Sequence, residues 1–83
     1  MKVRYFAWVR ERVGKAEEEI DPPAAIATVG ELVAWLAEKG EGYAYAFENP
    51  KVIRAAIDRN HVRADARIAG AAEVAFFPPM TGG

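Results

Sequence analysis

The residues of this sequence best suited to chemistry are its last two. Gly82 and Gly83 follow Phe76-Phe77-Pro78-Pro79-Met80-Thr81, and the expectation is a bare carboxylate at the tip of a slim, flexible tail. Neither glycine carries a side chain, so a partner's channel can enclose the pair and a reactant can approach the terminal carbonyl carbon from any side. The chemistry this suits is acyl activation, because a carboxylate is a poor electrophile until a leaving group is attached to it. Residues 78–83, extended at ~3.3–3.6 Å each, would span roughly 20 Å, beyond a body with an expected radius of gyration near ~12 Å. Fixing six free residues costs roughly 1–2 kcal/mol each. Pro78 and Pro79 lower that cost, since their φ is already set in an extended conformation.

Other chemistries find little support. His61 is the single histidine and has no companion at metal-ligand spacing, so no metal site is expected. Glu17, Glu18 and Glu19 would alternate between the faces of a strand and read as a solvated edge. Asp21, Asp58 and Asp65 form no pair suggestive of acid and base work. There is no GxxxxGK[ST] phosphate loop. With no cysteine, neither disulfides nor a thiolate site is available, and any sulfur carried by the chain cannot sit on a side-chain thiol.

The 83 residues, 52% apolar with a formal charge of −1, describe one small soluble domain that removes only about 60% of its unfolded surface from water. No basic block suggests a nucleic-acid partner. The opening Met1-Lys2-Val3-Arg4-Tyr5-Phe6 alternates at once, so neither a signal peptide nor a membrane span is expected, and the default location is cytoplasmic.

The elements that must position the tail follow from periodicity. Residues 2–9 alternate as a strand, with Val3, Tyr5 and Ala7 on one side and Arg4 and Phe6 on the other; a short turn of helix or loop closes at Gly14. A second strand, Ala16 to Ile20, stops at Asp21-Pro22-Pro23. Thr28-Val29-Gly30-Glu31 fits a capping box opening a helix to about Lys39, with Leu32, Val33 and Leu36 on its apolar face. Tyr43 to Phe47 suggests a further helical turn. Val52 to Asp58 alternates again, a turn at Asp58-Arg59-Asn60 leads to a short strand at His61 and Val62, and Glu73 to Phe77 is the last strand.

This order predicts an α+β fold, a ubiquitin-like β-grasp roll in which a mixed sheet carries one main helix on one face. Residues 1–77 form the domain and 78–83 the extended Gly-Gly tail. Val3, Tyr5, Ile53, Ile57, Val74 and Phe76 should face the helix. Arg4, Phe6, Arg54, Ala75 and Phe77 then fall on the open face, where two aromatics beside two arginines have the composition of a binding patch, with His61 at its edge. An ordinary core is the second reading of Phe6 and Phe77, and a solvated strand is the commoner setting for residues such as Arg4 and Arg54. Trp8 and Trp35 read as packing residues at the two ends of the helix–sheet contact.

Three segments resemble a known family. Tyr5-Phe6-Ala7-Trp8-Val9-Arg10-Glu11, followed by Gly14, is similar to an opening "FFAxxRE"; Ala55-Ala56-Ile57-Asp58 is similar to a central "AAVN"; and Glu73-Val74-Ala75-Phe76-Phe77-Pro78-Pro79 with Gly82-Gly83 is similar to a closing "EVAFFPP" and "TGG". The sequence thus resembles, from end to end, the MoaD family of small, sulfur-carrying subunits of molybdopterin synthase. It departs at Met80, where valine is usual, and at Gly70-Ala71-Ala72-Glu73-Val74, where "DGDEV" is common and two acidic residues are lost.

The resemblance implies a sulfur shuttle. An activating enzyme of the ubiquitin-activating type would use ATP to join AMP to Gly83, and a sulfur donor protein would displace AMP to leave a thiocarboxylate. The large subunit of molybdopterin synthase would accept Gly82 and Gly83 in its active site, where the sulfur passes to a pterin precursor to build a dithiolene. Phe6, Arg4, Arg54, His61, Phe77, Pro78, Pro79, Met80 and Thr81 would meet the partners. The chain would be a co-substrate, not an enzyme, and would bind no cofactor of its own. Two alternatives keep the same tail: a carrier for thiazole synthesis or another thiolation pathway, and a ubiquitin-like modifier joined to lysines through Gly83.

Overall fold

Strand β1 (Lys2–Tyr5) begins the chain and is shorter than its alternation suggests. The structure, a computed structural model, describes residues 1–79; Met80, Thr81, Gly82 and Gly83 lie outside the described residues. The strand expected over residues 2–9 gives way at Phe6 to helix α1 (Ala7–Val13). Two observations explain the change. The Phe6 N–H still donates to the Phe76 carbonyl at 3.0 Å as a strand residue would, but its own carbonyl accepts from the Val9 and Arg10 N–H groups at 3.1 and 3.3 Å. Ala7 takes a φ of 52°, a left-handed value that an alanine adopts at a cost of roughly 1–2 kcal/mol, and the chain turns there. Ala7 is therefore exposed and does not join Val3 and Tyr5 in the core, whereas Val9 is buried from the helix. Gly14, at φ 93°, closes α1 with its N–H on the Arg10 carbonyl.

Strand β2 (Glu17–Glu19) returns antiparallel to β1. Helix α2 (Val29–Ala37) starts on the expected capping box: Glu31 N–H donates to Thr28 Oγ1 at 3.2 Å, and Thr28 N–H donates to Glu31 Oε1 at 3.0 Å. Hydrogen bonds from the Ala27 and Thr28 N–H groups hold the Glu31 carboxyl below its ordinary pKa. Val29, Leu32, Val33 and Leu36 are buried, the stripe expected of one helical face. Helix α3 (Glu41–Ala46) extends the predicted single turn and lies so close to α1 that a Cβ on Gly42 would stand 2.5 Å from the Arg12 carbonyl oxygen.

A short 3-10 turn, Pro50–Val52, leads to β3 (Arg54–Ile57), β4 (Asn60–Val62) and β5 (Glu73–Phe77). Asp58 and Arg59 carry φ values of 47° and 72°, the paired positive values of a type I′ hairpin turn. The five strands lie in the order β2-β1-β5-β3-β4. β1 and β5 run parallel at the centre and the remaining pairs are antiparallel. This mixed sheet under α2 and α3 is the ubiquitin-like β-grasp.

Register assigns the faces. Val3 and Ile57 stand opposite Val74, and Tyr5 and Ala55 opposite Phe76, so these six side chains share the helix side. Val3, Tyr5, Val74 and Phe76 are completely or almost completely buried, while Ile53 and Ile57 pack at the periphery. Phe76 stacks near Tyr5, with centroids 6.5 Å apart, and meets Phe47 edge-on at 5.4 Å. The solvated edge expected of β2 holds for Glu17 and Glu19 but not for Glu18. Its Oε2 accepts the hydroxyls of Tyr5 and Tyr43 at 2.8 and 2.7 Å, and its Oε1 faces the Lys15 and Lys39 ammoniums at 3.4 and 3.6 Å. Burial alone would raise this carboxyl, but the Tyr43 and Tyr5 hydrogen bonds and the two lysines outweigh it and hold its pKa low. Burial, and then the hydrogen bond to Glu18, pushes the Tyr5 phenol well above the ordinary tyrosine value.

The Gly70-to-Glu73 loop, with its two missing acids, is held by a different carboxylate. Asp58 Oδ1, from the β3–β4 turn, accepts the Ala72 and Glu73 N–H groups at 3.1 and 2.9 Å.

Candidate functional site

The face of the sheet turned away from the helices is built from the alternate residues of the same strands. Arg4, Ala75, Ala56 and His61 form one row across β1, β5, β3 and β4, and Arg54 stands opposite Phe77 in the next. Ala75 and Ala56 are buried, so the centre of the face is a floor of small residues. Larger side chains surround it. Phe77, half-buried, meets the exposed His61 ring edge-on at 5.3 Å, and the Arg4 guanidinium lies 5.2 Å from the centroid of the Phe6 ring.

Phe6 belongs to this patch because of where α1 begins. As the N-cap residue it keeps extended backbone, φ −125° and ψ 156°, and so continues the alternation of β1 by one step onto the side of Arg4. Parallel pairing of Tyr5 with Phe76 then sets Phe6 beside Phe77. Phe6 is 38% exposed and, with Tyr45 on α3, is one of two large apolar side chains open to solvent among the described residues. A ring held open beside a cation can contribute both area and direction to a partner.

The charges of the patch are unequal. Arg4 lies 3.9 Å from both Glu17 and Glu73 and is partly neutralised. Arg54, exposed at the start of β3, has no ion pair among the described residues. Directly after Phe77, Pro78 and Pro79 are half-buried and leave the sheet at this end. The structure therefore brings together Phe6, Arg4, Arg54, His61, Phe77, Pro78 and Pro79. Met80, Thr81, Gly82 and Gly83, the remaining candidates, lie outside the described residues. Among the described residues no three His, Asp or Glu side chains converge as metal ligands would, and no helix is long and apolar enough to cross a membrane.

Trp8, expected as a packing residue, has the Arg12 guanidinium 4.3 Å from its ring centroid, and the same guanidinium lies 3.8 Å from the centroid of the Tyr45 ring. This stack ties α1 to α3. Its only trace in the sequence is the i, i+4 spacing of Trp8 and Arg12, which becomes readable once residues 7–13 are known to be helical.

These features define a β-grasp protein whose apolar and cationic sheet face borders the point where the chain leaves its last strand. The chain belongs to the ThiS family, whose model matches residues 3–83. It is 40% identical to the molybdopterin synthase sulfur carrier subunit of Escherichia coli (strain K12), covering all of this chain and 99% of that protein. The protein of the same name from Haemophilus influenzae is 32% identical over the same shares. Among solved structures, SAMP1 from Haloferax volcanii superimposes with a TM-score of 0.72 at 25% identity, covering 100% of this chain and 98% of that one.

Proposed function

We propose that this chain is the sulfur carrier of a molybdopterin synthase and works through the carboxyl group of Gly83. The observation that carries the reading is the end-to-end match, 40% identical, to a protein named for that role. In the proposed cycle a Gly83 carboxylate oxygen attacks the α-phosphorus of ATP on an activating enzyme, giving an acyl adenylate and pyrophosphate. Hydrosulfide released by a donor protein attacks the acyl carbon and AMP departs, leaving a thiocarboxylate. The large subunit then receives the loaded tail, its sulfur adds to a carbon of a pterin precursor, and water cleaves the acyl–sulfur bond, leaving the sulfur on the pterin and restoring the Gly83 carboxylate. The carrier supplies a reactive group and a shape, while each partner supplies the catalysis. All three steps take place in the cytoplasm.

The open face supports this division of labour. Phe6, Phe77, Arg54, Arg4 and His61 surround the place where Pro78 leaves the sheet, so a partner that grips them has the next residues within reach. Carboxylates on the partner would find Arg54 without a competing ion pair. Pro78 and Pro79 stiffen the start of the tail, and Met80 and Thr81 line the partner's channel together with the two glycines.

The test is the mass of the intact chain after incubation with ATP, an activating enzyme and a sulfide source. The expected gain is that of one oxygen replaced by sulfur, and it should vanish when Gly82 and Gly83 are deleted from a chain that still folds. Adducts bearing a Gly-Gly remnant on lysine, with no gain on the free chain, would instead make it a protein modifier. Transfer of sulfur to a thiazole synthase, and none to the molybdopterin synthase large subunit, would make it a carrier for a different acceptor.

A further inference from the structure

On the other side of the sheet, a groove of about 620 Å³ runs between α2 and the β3–β4 hairpin. Its floor is apolar: Val33 comes from the helix, Ile53 from the approach to β3, and Val62 from β4. Val62 pairs with Ala55 and thus faces the helix side, opposite to Phe77 and Ala56. The groove therefore opens on the helix side of the sheet and shares only Arg54 and His61 of its lining with the open-face patch.

Two features make it more than a gap in the packing. The first is the free backbone edge. β4 is the last strand of the sheet and, among the described residues, pairs only with β3. Since the tight turn closes on the Ile57–Asn60 pair, ladder alternation leaves the N–H and C=O of His61 directed away from β3. The second is charge. Apart from Arg54, which belongs to the open face, Lys51 and Arg63 line the groove, and neither makes an ion pair among the described residues. Lys2, Arg4, Arg12, Lys15 and Lys39 are paired with glutamates, while Arg10, Arg59 and Arg67, also without ion pairs among the described residues, do not line the groove. An open strand edge beside an apolar floor offers main-chain hydrogen bonds and side-chain pockets to an added strand, and a rim of unmatched cations selects carboxylates.

We infer that this groove docks an extended segment of a partner protein, with alternating apolar side chains flanked by aspartate or glutamate, added as a strand along β4. Occupancy there leaves Phe6 and Phe77 uncovered. A carrier held through the groove can still present its open face and tail to a second protein.

The probe is a capped peptide of sequence Asp-Val-Ile-Val-Asp-Glu, titrated into the full chain labelled with nitrogen-15, with a control peptide bearing lysine at the three acidic positions. Saturable shifts are expected at His61, Val62, Val33 and Lys51, with slower amide exchange at His61. The double charge reversal Lys51→Glu with Arg63→Glu, at two exposed sites, should weaken binding about tenfold without disturbing the remaining spectrum. The inference is overturned if no saturable shifts appear by about 2 mM peptide, a concentration that detects even millimolar affinity. It is equally overturned if the lysine peptide binds as well, or if the shifts fall on Phe6 and Arg4 and not on Val33 and Lys51. Loss of sulfur loading with groove binding intact would count against the proposed function alone.

Discussion

Replacing Phe6 by alanine tests the open face most directly. The ring is 38% exposed; for an aromatic residue of roughly 200 Å² that leaves about 75 Å² for a partner to cover. At about 25 cal/mol per Å² the lost burial is worth about 2 kcal/mol, or a rise of about 30-fold in Kd. Part of the ring already packs beside Arg4, so the variant also loses some stability, and thermal unfolding must be followed so that binding is measured well below the transition. The assay is calorimetric titration of the carrier with the molybdopterin synthase large subunit. Tyr45→Ala is the control, because Tyr45 is more exposed, at 54%, but sits on α3 on the helix side of the sheet. A Phe6→Ala affinity within about threefold of the parent, less than 1 kcal/mol, would refute the assignment of this face. So would an equal loss in Tyr45→Ala.

Glu18→Gln should lower stability at neutral pH, and the deficit should close on acidification. The folded carboxyl is held below its ordinary pKa, so its contribution is complete above the unfolded value and disappears as pH falls through the folded one; a deficit in urea midpoint that stays constant with pH would contradict the network around Tyr5 and Tyr43. Gly42→Ala should cost about 1–3 kcal/mol by forcing α3 away from the Arg12 carbonyl, measured by denaturant unfolding, and an unchanged midpoint would show that the helices are not in such close contact. Ala7→Gly should be neutral or stabilising by up to about 1 kcal/mol, since glycine relieves the left-handed backbone; a clear loss of stability would mean that residue 7 is not held at positive φ.

What the sequence disclosed was whatever depends on near neighbours. The Thr28 and Glu31 capping box, the hairpin turn at Asp58, the last strand Glu73–Phe77 and the shared side of Arg4, Arg54, Ala75 and Phe77 all follow from period and spacing, and each is present in the structure. The error over residues 7–9 has a physical cause. Val3, Tyr5, Ala7 and Val9 alternate as a strand should, yet Val9 reaches the core from a helix, and the change of direction rests on an alanine at positive φ, which no composition rule marks. Glu18 was hidden for another reason: its partners Tyr5 and Tyr43 are 13 and 25 residues away, and only the folded sheet brings a β2 carboxylate against α3. The groove likewise depends on the chain after β4 crossing to α2, where Gly30 N–H donates to the Ala64 carbonyl at 2.8 Å.

The parallel pairing of β1 with β5 connects fold to function. In an antiparallel pair the end of one strand lies beside the start of the other, but here the ends of the first and last strands lie side by side, with Tyr5 opposite Phe76. The turn into α1 therefore falls beside Pro78, and the hydrogen bond from Phe6 N–H to the Phe76 carbonyl fixes one aromatic of the patch to the strand that carries the other. In the proposed cycle, recognition by the body and delivery by the tail would start from the same place but use different residues. Substitutions at Phe6 or Arg54 should change how tightly a partner holds the domain and leave the acyl chemistry of Gly83 intact, whereas loss of Gly82 and Gly83 should abolish the chemistry and leave the grip of the sheet face in place.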